Sequence, residues 1–489
     1  MTFTLNILQN NCTFISFNFH FFCIFACTIE GQQKKKAIQM INNDTICALA
    51  TAQGGALGII RVSGPKAFDT VSHICSLNCA NIVANTVHYT HIVSPENEIV
   101  DEVLVSIFHA PHSYTSEDSV EISCHASRYI LNKVLELLIT NGCRMANPGE
   151  FTQRAYINGK IDLSQAEAVA DLISSTNRAS HRIAMSQLRG GISTELATLR
   201  NKLLKLTSLL ELELDFSDHE ELEFADRNEL LELTNTIKEH INRLAHSFKI
   251  GQALKNGIPV AIVGKTNVGK STLLNAILND NRAIVSDIHG TTRDTIEESI
   301  DINGVQFRFI DTAGLRQTKD EIEQIGIDRT LKKINEAQII IWLLDSIPDN
   351  NELDEIKTLT KGKDCLFVHN KADLIDTESF KPYISPLTLI SAKAGTGIEQ
   401  LKEQIYKTSH LQNLSGNEVI VTNARHYDAL LRAQESIQYV LNGLQQNLSG
   451  DLQSEDLRQT LDILAEITGG KITPQETLNN IFKNFCVGK

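Results

Sequence analysis

The spacing of apolar residues changes character three times along this chain. Short β-rich runs at 46–62 and 103–122 alternate with Gly, Ser and Pro punctuation, and 130–138 keeps a helical period, a mixture that predicts a small α+β domain. After Gly159 the helical period takes over: Leu196, Leu199, Leu203, Leu206 and Leu210 step by three and four, so they share one helix face and are expected to be core. From Gly257 onward the pattern changes again. The stretches 260–263, 307–310, 339–344 and 366–368 are continuous apolar runs, suited to parallel strands buried on both faces, with intervening segments long enough for crossover helices. Beyond residue 411 helical spacing returns at Leu430, Leu431, Ile437, Val440 and Leu441. Two helical stretches thus flank a doubly wound α/β unit, which reads as an insertion into a helical domain. Thr473, Pro474 and Glu476 announce a last helix as N-cap, first-turn proline and capping-box partner, with Leu478, Ile481 and Phe482 as its apolar face and Cys486 at its far end.

Length and composition refine this picture. For 489 residues, a prior of about 150 residues per domain suggests roughly three domains. The expected boundaries are 40–158 for the α+β domain, 159–256 and 412–489 for the two parts of the helical domain, and 257–411 for the α/β insertion. A hydrophobic share of 42% with 21% charged residues argues against both a disordered chain and a membrane bundle. The formal net charge of -14 disfavours whole-surface attraction to nucleic acid, so any RNA contact must use a local basic patch or a partner. Acidity is densest between Asp215 and Asp226, which reads as a solvated connection between helices. Ten cysteines are scattered without a CxxC pair, and Cys23/Cys27 and Cys75/Cys79 lack a companion His pattern. That usage argues against zinc and for a reducing compartment, the cytosol. The aromatic-rich run at 14–26 is short for a membrane span and has no basic residue before it, unlike a signal peptide. Residues 1–39 are therefore expected to be a leader, with Met40 the native start.

The chemistry is carried by motifs in the third region. Gly264-Lys265-Thr266-Asn267-Val268-Gly269-Lys270-Ser271 matches the phosphate-binding GxxxxGK[ST] pattern between an expected strand and an expected helix. Its glycines let backbone N–H groups face phosphates, Lys270 supplies a point charge, and Ser271 offers a hydroxyl to magnesium. Asn370-Lys371-Ala372-Asp373 follows a later strand; in GTPases with this pattern the Asp carboxylate accepts the guanine N1 and N2 hydrogens, which adenine lacks. Ser391-Ala392-Lys393 reads as the loop closing over the same base. Asp311-Thr312-Ala313-Gly314 and Thr292, in Gly290-Thr291-Thr292-Arg293, complete a GTPase set in order. Leu315 stands where Ras-like proteins use a water-orienting glutamine, so another group must serve. Asn267 and the stretch Ser286-Asp287-Ile288-His289-Gly290-Thr291 form an oxygen-rich setting that suits a monovalent cation beside the phosphates, although Asn267 reads equally as a polar turn residue.

Taken together these residues resemble the MnmE family, also called TrmE, of tRNA-modification GTPases. The most specific marks are 290–294, the run 311–316, the ending Cys486-Val487-Gly488-Lys489, and the stretches 148–155 and 163–168. The resemblance implies three parts: an α+β tetrahydrofolate-binding and dimerisation domain, an all-α helical domain and an inserted P-loop GTPase domain. It implies GTP contacts from Asn267 through Thr272, including Val268 and Gly269, from the 286–292, 311–314 and 391–393 stretches, and from Asn370, Lys371 and Asp373. Potassium would be held by Asn267, Ser286, Ile288 and Thr291, and magnesium by Ser271 and Thr292. Glu323 matches the glutamate that orients the attacking water through a second water; without the resemblance it would read as a solvated helix residue. A formyl-tetrahydrofolate or related one-carbon folate would meet Arg61, Glu121, Lys160 and Lys489, while Arg61 and Glu121 also read as a cross-sheet ion pair. Cys486 would act near the folate, or be a buried terminal thiol. The implied partners are a second copy, an MnmG-type FAD protein in a heterotetramer, and tRNA, whose wobble uridine would gain a carboxymethylaminomethyl-type group. A different class, a switch GTPase of ribosome assembly, usually appends an RNA-binding module that is not recognisable here.

Overall fold

The computed structural model describes residues 44–52, 54–215, 227–279, 298–310, 334–375, 384–411, 418–446, 448, 450–470, 478, 481–483, 485 and 488. The expected leader, most of the acidic stretch before Asp226, and the capping residues Thr473, Pro474 and Glu476 lie outside them. The described residues form two compact units, one from residues up to 170 with those from 468 onward, the other from 171–467.

The first unit is built on a six-stranded sheet of β1 (Thr45–Leu49), β2 (Leu57–Ser63), β3 (Thr86–Val93), β4 (Ile99–Phe108), β5 (Ser119–His125) and β6 (Cys143–Met145), in the order β3-β4-β5-β2-β1-β6. Its strands alternate: Val103, Val105 and Ile107 of β4 are buried while Glu102 and Leu104 face out. That period of two sends one face onto a core with α1 (Ala67–Ile74) and α2 (Arg128–Thr140), where Val71, Leu131, Val134 and Leu138 meet Ile60, Val62 and Ile122. The other face is covered only in part. At its β1 end Ile46 and Ala48 pack against Phe151 of α3 (Glu150–Ile157), whereas Val87, Tyr89 and Leu104 at the β3–β4 end stay 60%, 60% and 48% exposed. α4 (Leu163–Ser174) starts in this unit, with Leu163 and Ala166 against Leu478 and Phe482 of the C-terminal segment.

The second unit contains the helices α5 (Arg178–Leu188), α6 (Gly191–Asp215), α7 (Arg227–Asn256), α11 (Ala424–Gln445) and α12 (Gly450–Thr468). All five leucines of the α6 stripe are buried, against Ile237, Ile241, Leu430, Ile437 and Leu464 among others. Between α7 and α11 lies a second six-stranded sheet, β7 (Ile258–Val263), β8 (Glu298–Ile302), β9 (Val305–Phe309), β10 (Ile339–Leu344), β11 (Asp364–His369) and β12 (Leu387–Leu389), ordered β12-β11-β10-β7-β9-β8. Helices α8 (Lys270–Asn279), α9 (Asn350–Leu359) and α10 (Ile398–Thr408) accompany it. The four continuous apolar runs all fall on parallel strands of this sheet. β8 has no such run because it is an antiparallel edge strand with alternating burial, so only every second side chain is apolar and covered.

The chain leaves the α/β layer along a segment stitched to helices that precede it. Gln187 of α5 donates to the Ile420 carbonyl and to Thr422 Oγ1 at 2.9 and 3.1 Å, Gln252 of α7 donates to the Thr422 carbonyl at 2.7 Å, and Val421 N–H donates to Ser247 Oγ at 3.0 Å. These side chains satisfy backbone groups that no strand or helix pairs there.

Candidate functional site

β7 ends inside the apolar core, and the chain turns through residues 264–269 before α8 begins at Lys270. Asn267 and Gly269 both take positive φ, 62° and 100°. Gly269 has no alternative, since a Cβ there would lie 2.4 Å from Asn370 Nδ2. The loop curls around the ammonium of Lys270, which donates to the carbonyls of Gly264 and Lys265 at 2.7 Å each. Val268 anchors the loop in the core at 1% exposure, while Asn267 and Thr272 are exposed and Ser271 half-buried. A cation and a hydroxyl at a helix N-terminus, backed by a tight backbone turn, suit a phosphate chain.

The opposite wall forms at the ends of β11 and β12. Asn370, 3% exposed, is its joint: its Nδ2 donates to the Val268 carbonyl at 2.8 Å and its Oδ1 accepts from Ala392 N–H at 3.0 Å. One amide thus ties the phosphate loop to the loop of 391–393 across the sheet. Lys371 stands in the left-handed region, φ 62°, and donates to Asp345 Oδ2 at 2.5 Å. Asp373 accepts from Ser391 Oγ at 2.5 Å, and that hydrogen bond holds its carboxyl below the ordinary range. Asp373 is therefore ionised at neutral pH, as an acceptor for two N–H groups must be. Lys393, two residues after Ser391, is exposed. Ser286, Asp287, Ile288, His289, Gly290, Thr291 and Thr292, with Asp311, Thr312, Ala313, Gly314 and Glu323, lie outside the described residues.

The first unit brings a second group of flagged residues together. Arg61 of β2 and Glu121 of β5 are direct cross-strand partners, joined by two contacts of 2.8 and 2.9 Å. The ion pair open from sequence is thus present. The Arg61 guanidinium also lies over the rings of Tyr114 and Phe151, at 5.2 and 5.6 Å. Its Nη1 donates to the carbonyl of Gly488 at 3.1 Å, so the chain's end is seated beside Arg61. Gly488 has φ 95°, and a Cβ there would lie 2.3 Å from the Leu49 carbonyl oxygen. Lys160 reaches the same neighbourhood through the loop of Tyr114, donating to the Ser113 carbonyl. Burial pushes the Tyr114 phenol above its usual value, and its hydroxyl is shared with Thr152 Oγ1 at 2.8 Å. Cys486 and Lys489 lie outside the described residues.

Comparison with known proteins then decides the family. A model described as the MnmE helical domain matches residues 163–486, and one described as the GTP-binding protein TrmE N-terminus matches 45–160. The tRNA modification GTPase MnmE of Phocaeicola vulgatus is 52% identical over 92% of this chain and 100% of its own length. The chain belongs to the MnmE family of tRNA modification GTPases. The MnmE proteins of Bacteroides thetaiotaomicron and Flavobacterium johnsoniae are 51% and 50% identical, each over 92% of this chain and the whole of their own. Among solved structures, the G domain of the T. maritima FeoB iron transporter covers 31% of this chain and 98% of its own at 26% identity, with a TM-score of 0.23, too slight a likeness to build on. As a member of the MnmE family the chain is a GTP-binding, GTP-hydrolysing enzyme of tRNA modification. No helix among the described residues is long and apolar enough to cross a membrane.

Sequence reasoning within the MnmE pattern passed over Tyr114, which has no motif around it and reaches Arg61 only through tertiary packing. Phe151 sits inside a flagged stretch, but nothing in the pattern marks its ring as the one beneath a guanidinium.

Proposed function

We propose that this chain is a potassium-dependent GTPase that works with an MnmG-type flavin protein to add a carboxymethylaminomethyl-type group to carbon 5 of the wobble uridine of certain tRNAs. The observation that carries the reading is the Asn370 amide, bonded at once to the phosphate loop and to the base-side loop, in a chain matching MnmE relatives over 92% of its length. On this reading Lys270 exchanges its two carbonyl partners for phosphate oxygens when GTP enters, and Asp373 selects guanine. Ser271, at a helix N-terminus beside Lys270, fits a hard divalent ion, and Mg2+ held there with Thr292 would neutralise charge on the phosphates. Asn267, exposed and left-handed, fits a potassium ligand together with Ser286, Ile288 and Thr291; the ion would supply the positive charge that an arginine finger supplies elsewhere. Glu323 would orient water.

Arg61, Glu121, Lys160 and Lys489 would hold a formyl-tetrahydrofolate. A carboxylate and a guanidinium beside two aromatic rings suit a planar ring with an amide-like edge and an anionic tail. The folate would supply a one-carbon unit, and Cys486 would act beside it, two residues before the seated Gly488. The bare patch of Val87, Tyr89 and Leu104 supports a second copy as partner, since adjacent exposed apolar side chains on one sheet face favour burial. The cytosol is the compartment that these partners imply. The test is the GTPase rate in potassium against sodium, with Glu323→Ala alongside. The wild type should be fast only in potassium and the variant slow in both; equal wild-type rates in the two salts would remove the cation from the mechanism.

A further inference from the structure

The chain carries 59 acidic and 45 basic side chains, yet α5 contains no carboxylate at all. Arg178 and Arg182 of the helix and its C-cap residue Arg189 fall at intervals that bring them within about 40° of one another on the helical wheel. The three are exposed, with exposed His181 and Ser186 flanking them, while Ile183, Ala184 and Gln187 on the opposite face are buried. Several exposed cations elsewhere are paired with carboxylates, as Arg144, Lys205, Lys265, Arg432 and Arg458 are, while others, such as Arg128 and Arg200, stand singly on their helices. Among the described residues Arg178, Arg182 and Arg189 form no ion pair. The helix is also held rigidly. Asn177 and Ser180 make a reciprocal capping box at its start, Ala179 N–H donates to the Gly304 carbonyl at 2.9 Å, and Gln187 is bonded to both Ile420 and Thr422.

We propose that the outer face of α5 is a docking strip for the phosphodiester backbone of tRNA, read through Arg178, Arg182 and Arg189. The inference rests on tRNA being the substrate, and it gives the local basic patch that so acidic a chain requires. From Arg178 to Arg189 the backbone rises about 16 Å along the helix axis, long enough to span successive phosphates. Guanidinium groups present forked donors matched to phosphate oxygens and are weakly hydrated, so they suit this contact better than ammonium groups. No large exposed apolar side chain stands among them to anchor a protein partner, whereas a polar, positively charged face fits nucleic acid.

The test is a salt titration of binding, by fluorescence anisotropy, of full-length protein to a labelled wobble-uridine tRNA transcript. Each lost phosphate contact lowers the slope of log affinity against log salt by about one, so Arg182→Gln with Arg189→Gln should lower it by about two, and low-salt affinity by about tenfold. The melting temperature and GTPase rate should stay at wild-type values, and Arg432→Gln, whose guanidinium is paired with Asp428 and Glu466, should leave the slope unchanged. An unchanged slope in the double variant would overturn the docking strip, and more firmly so if association with the flavin protein fell instead. Nucleoside analysis of tRNA after deletion of the gene separates the two layers. Unaltered wobble uridine would sink the substrate reading itself, while altered nucleosides with an unchanged slope would sink only the strip.

Discussion

Replacing Asn370 with alanine tests whether one buried amide holds the nucleotide site together. The side chain is 3% exposed and makes two hydrogen bonds, from Nδ2 to the Val268 carbonyl and from Ala392 N–H to Oδ1. A net hydrogen bond is worth about 1 kcal/mol, and a buried donor or acceptor left without a partner costs about 1–3 kcal/mol. Truncation removes both bonds and strands the Val268 carbonyl and the Ala392 N–H, so about 2–4 kcal/mol should be lost, the upper values applying if water stays out. Asn370→Asp is the sharper control. It keeps an acceptor for Ala392 but turns a carboxylate oxygen toward the Val268 carbonyl, so it should not rescue the loss. The single tryptophan, Trp342 on β10, lies in the α/β layer and reports on its unfolding. Urea denaturation followed by Trp342 fluorescence, with GTP affinity measured beside it, reads both effects. A loss under about 0.5 kcal/mol, the range of ordinary surface substitutions, with unchanged GTP affinity, would refute the view that this amide is the joint.

Two further outcomes are expected in the first unit. Gly488→Ala should unseat the chain's end, because its Cβ would meet the Leu49 carbonyl at 2.3 Å; carboxypeptidase should then release Lys489 faster than from the wild type, and equal release rates would refute the seat. The carboxyls of Glu150 and Asp44 supply a pH prediction. Burial pushes both up, but hydrogen bonds and charge from Arg144 and Arg154, with Asn147 N–H on Glu150, leave both below their ordinary values of 4.5 and 3.8. A lowered folded value means that the stabilisation is complete above pH 4.5 and drains away as pH falls through the folded values. Arg144→Gln should therefore melt below the wild type at neutral pH, and the gap should close in acid; a gap that persists with both carboxyls protonated would contradict the linkage.

Much of the architecture was legible from spacing alone. The leucine stripe of α6 and the continuous runs of β7, β9, β10 and β11 are periodic over one element each, and local periodicity reports which faces are buried. β8 escaped because an edge strand shows only half of the burial that marks its neighbours. The phosphate loop was plain because its eight residues are contiguous.

By itself the sequence determined the elements, the GTPase motifs and, through them, the class of ligand, since each depends on residues close together in the chain. Only the tertiary structure decided that Arg61 meets Glu121 sixty residues away and the carbonyl of Gly488 at the far end, with Tyr114 and Phe151 against its guanidinium. It likewise decided that Asn370 bonds Val268 and that Arg178, Arg182 and Arg189 form no ion pair among the described residues. Such meetings are set by strand register and by how whole elements pack, and those are long-range choices that no local spacing records.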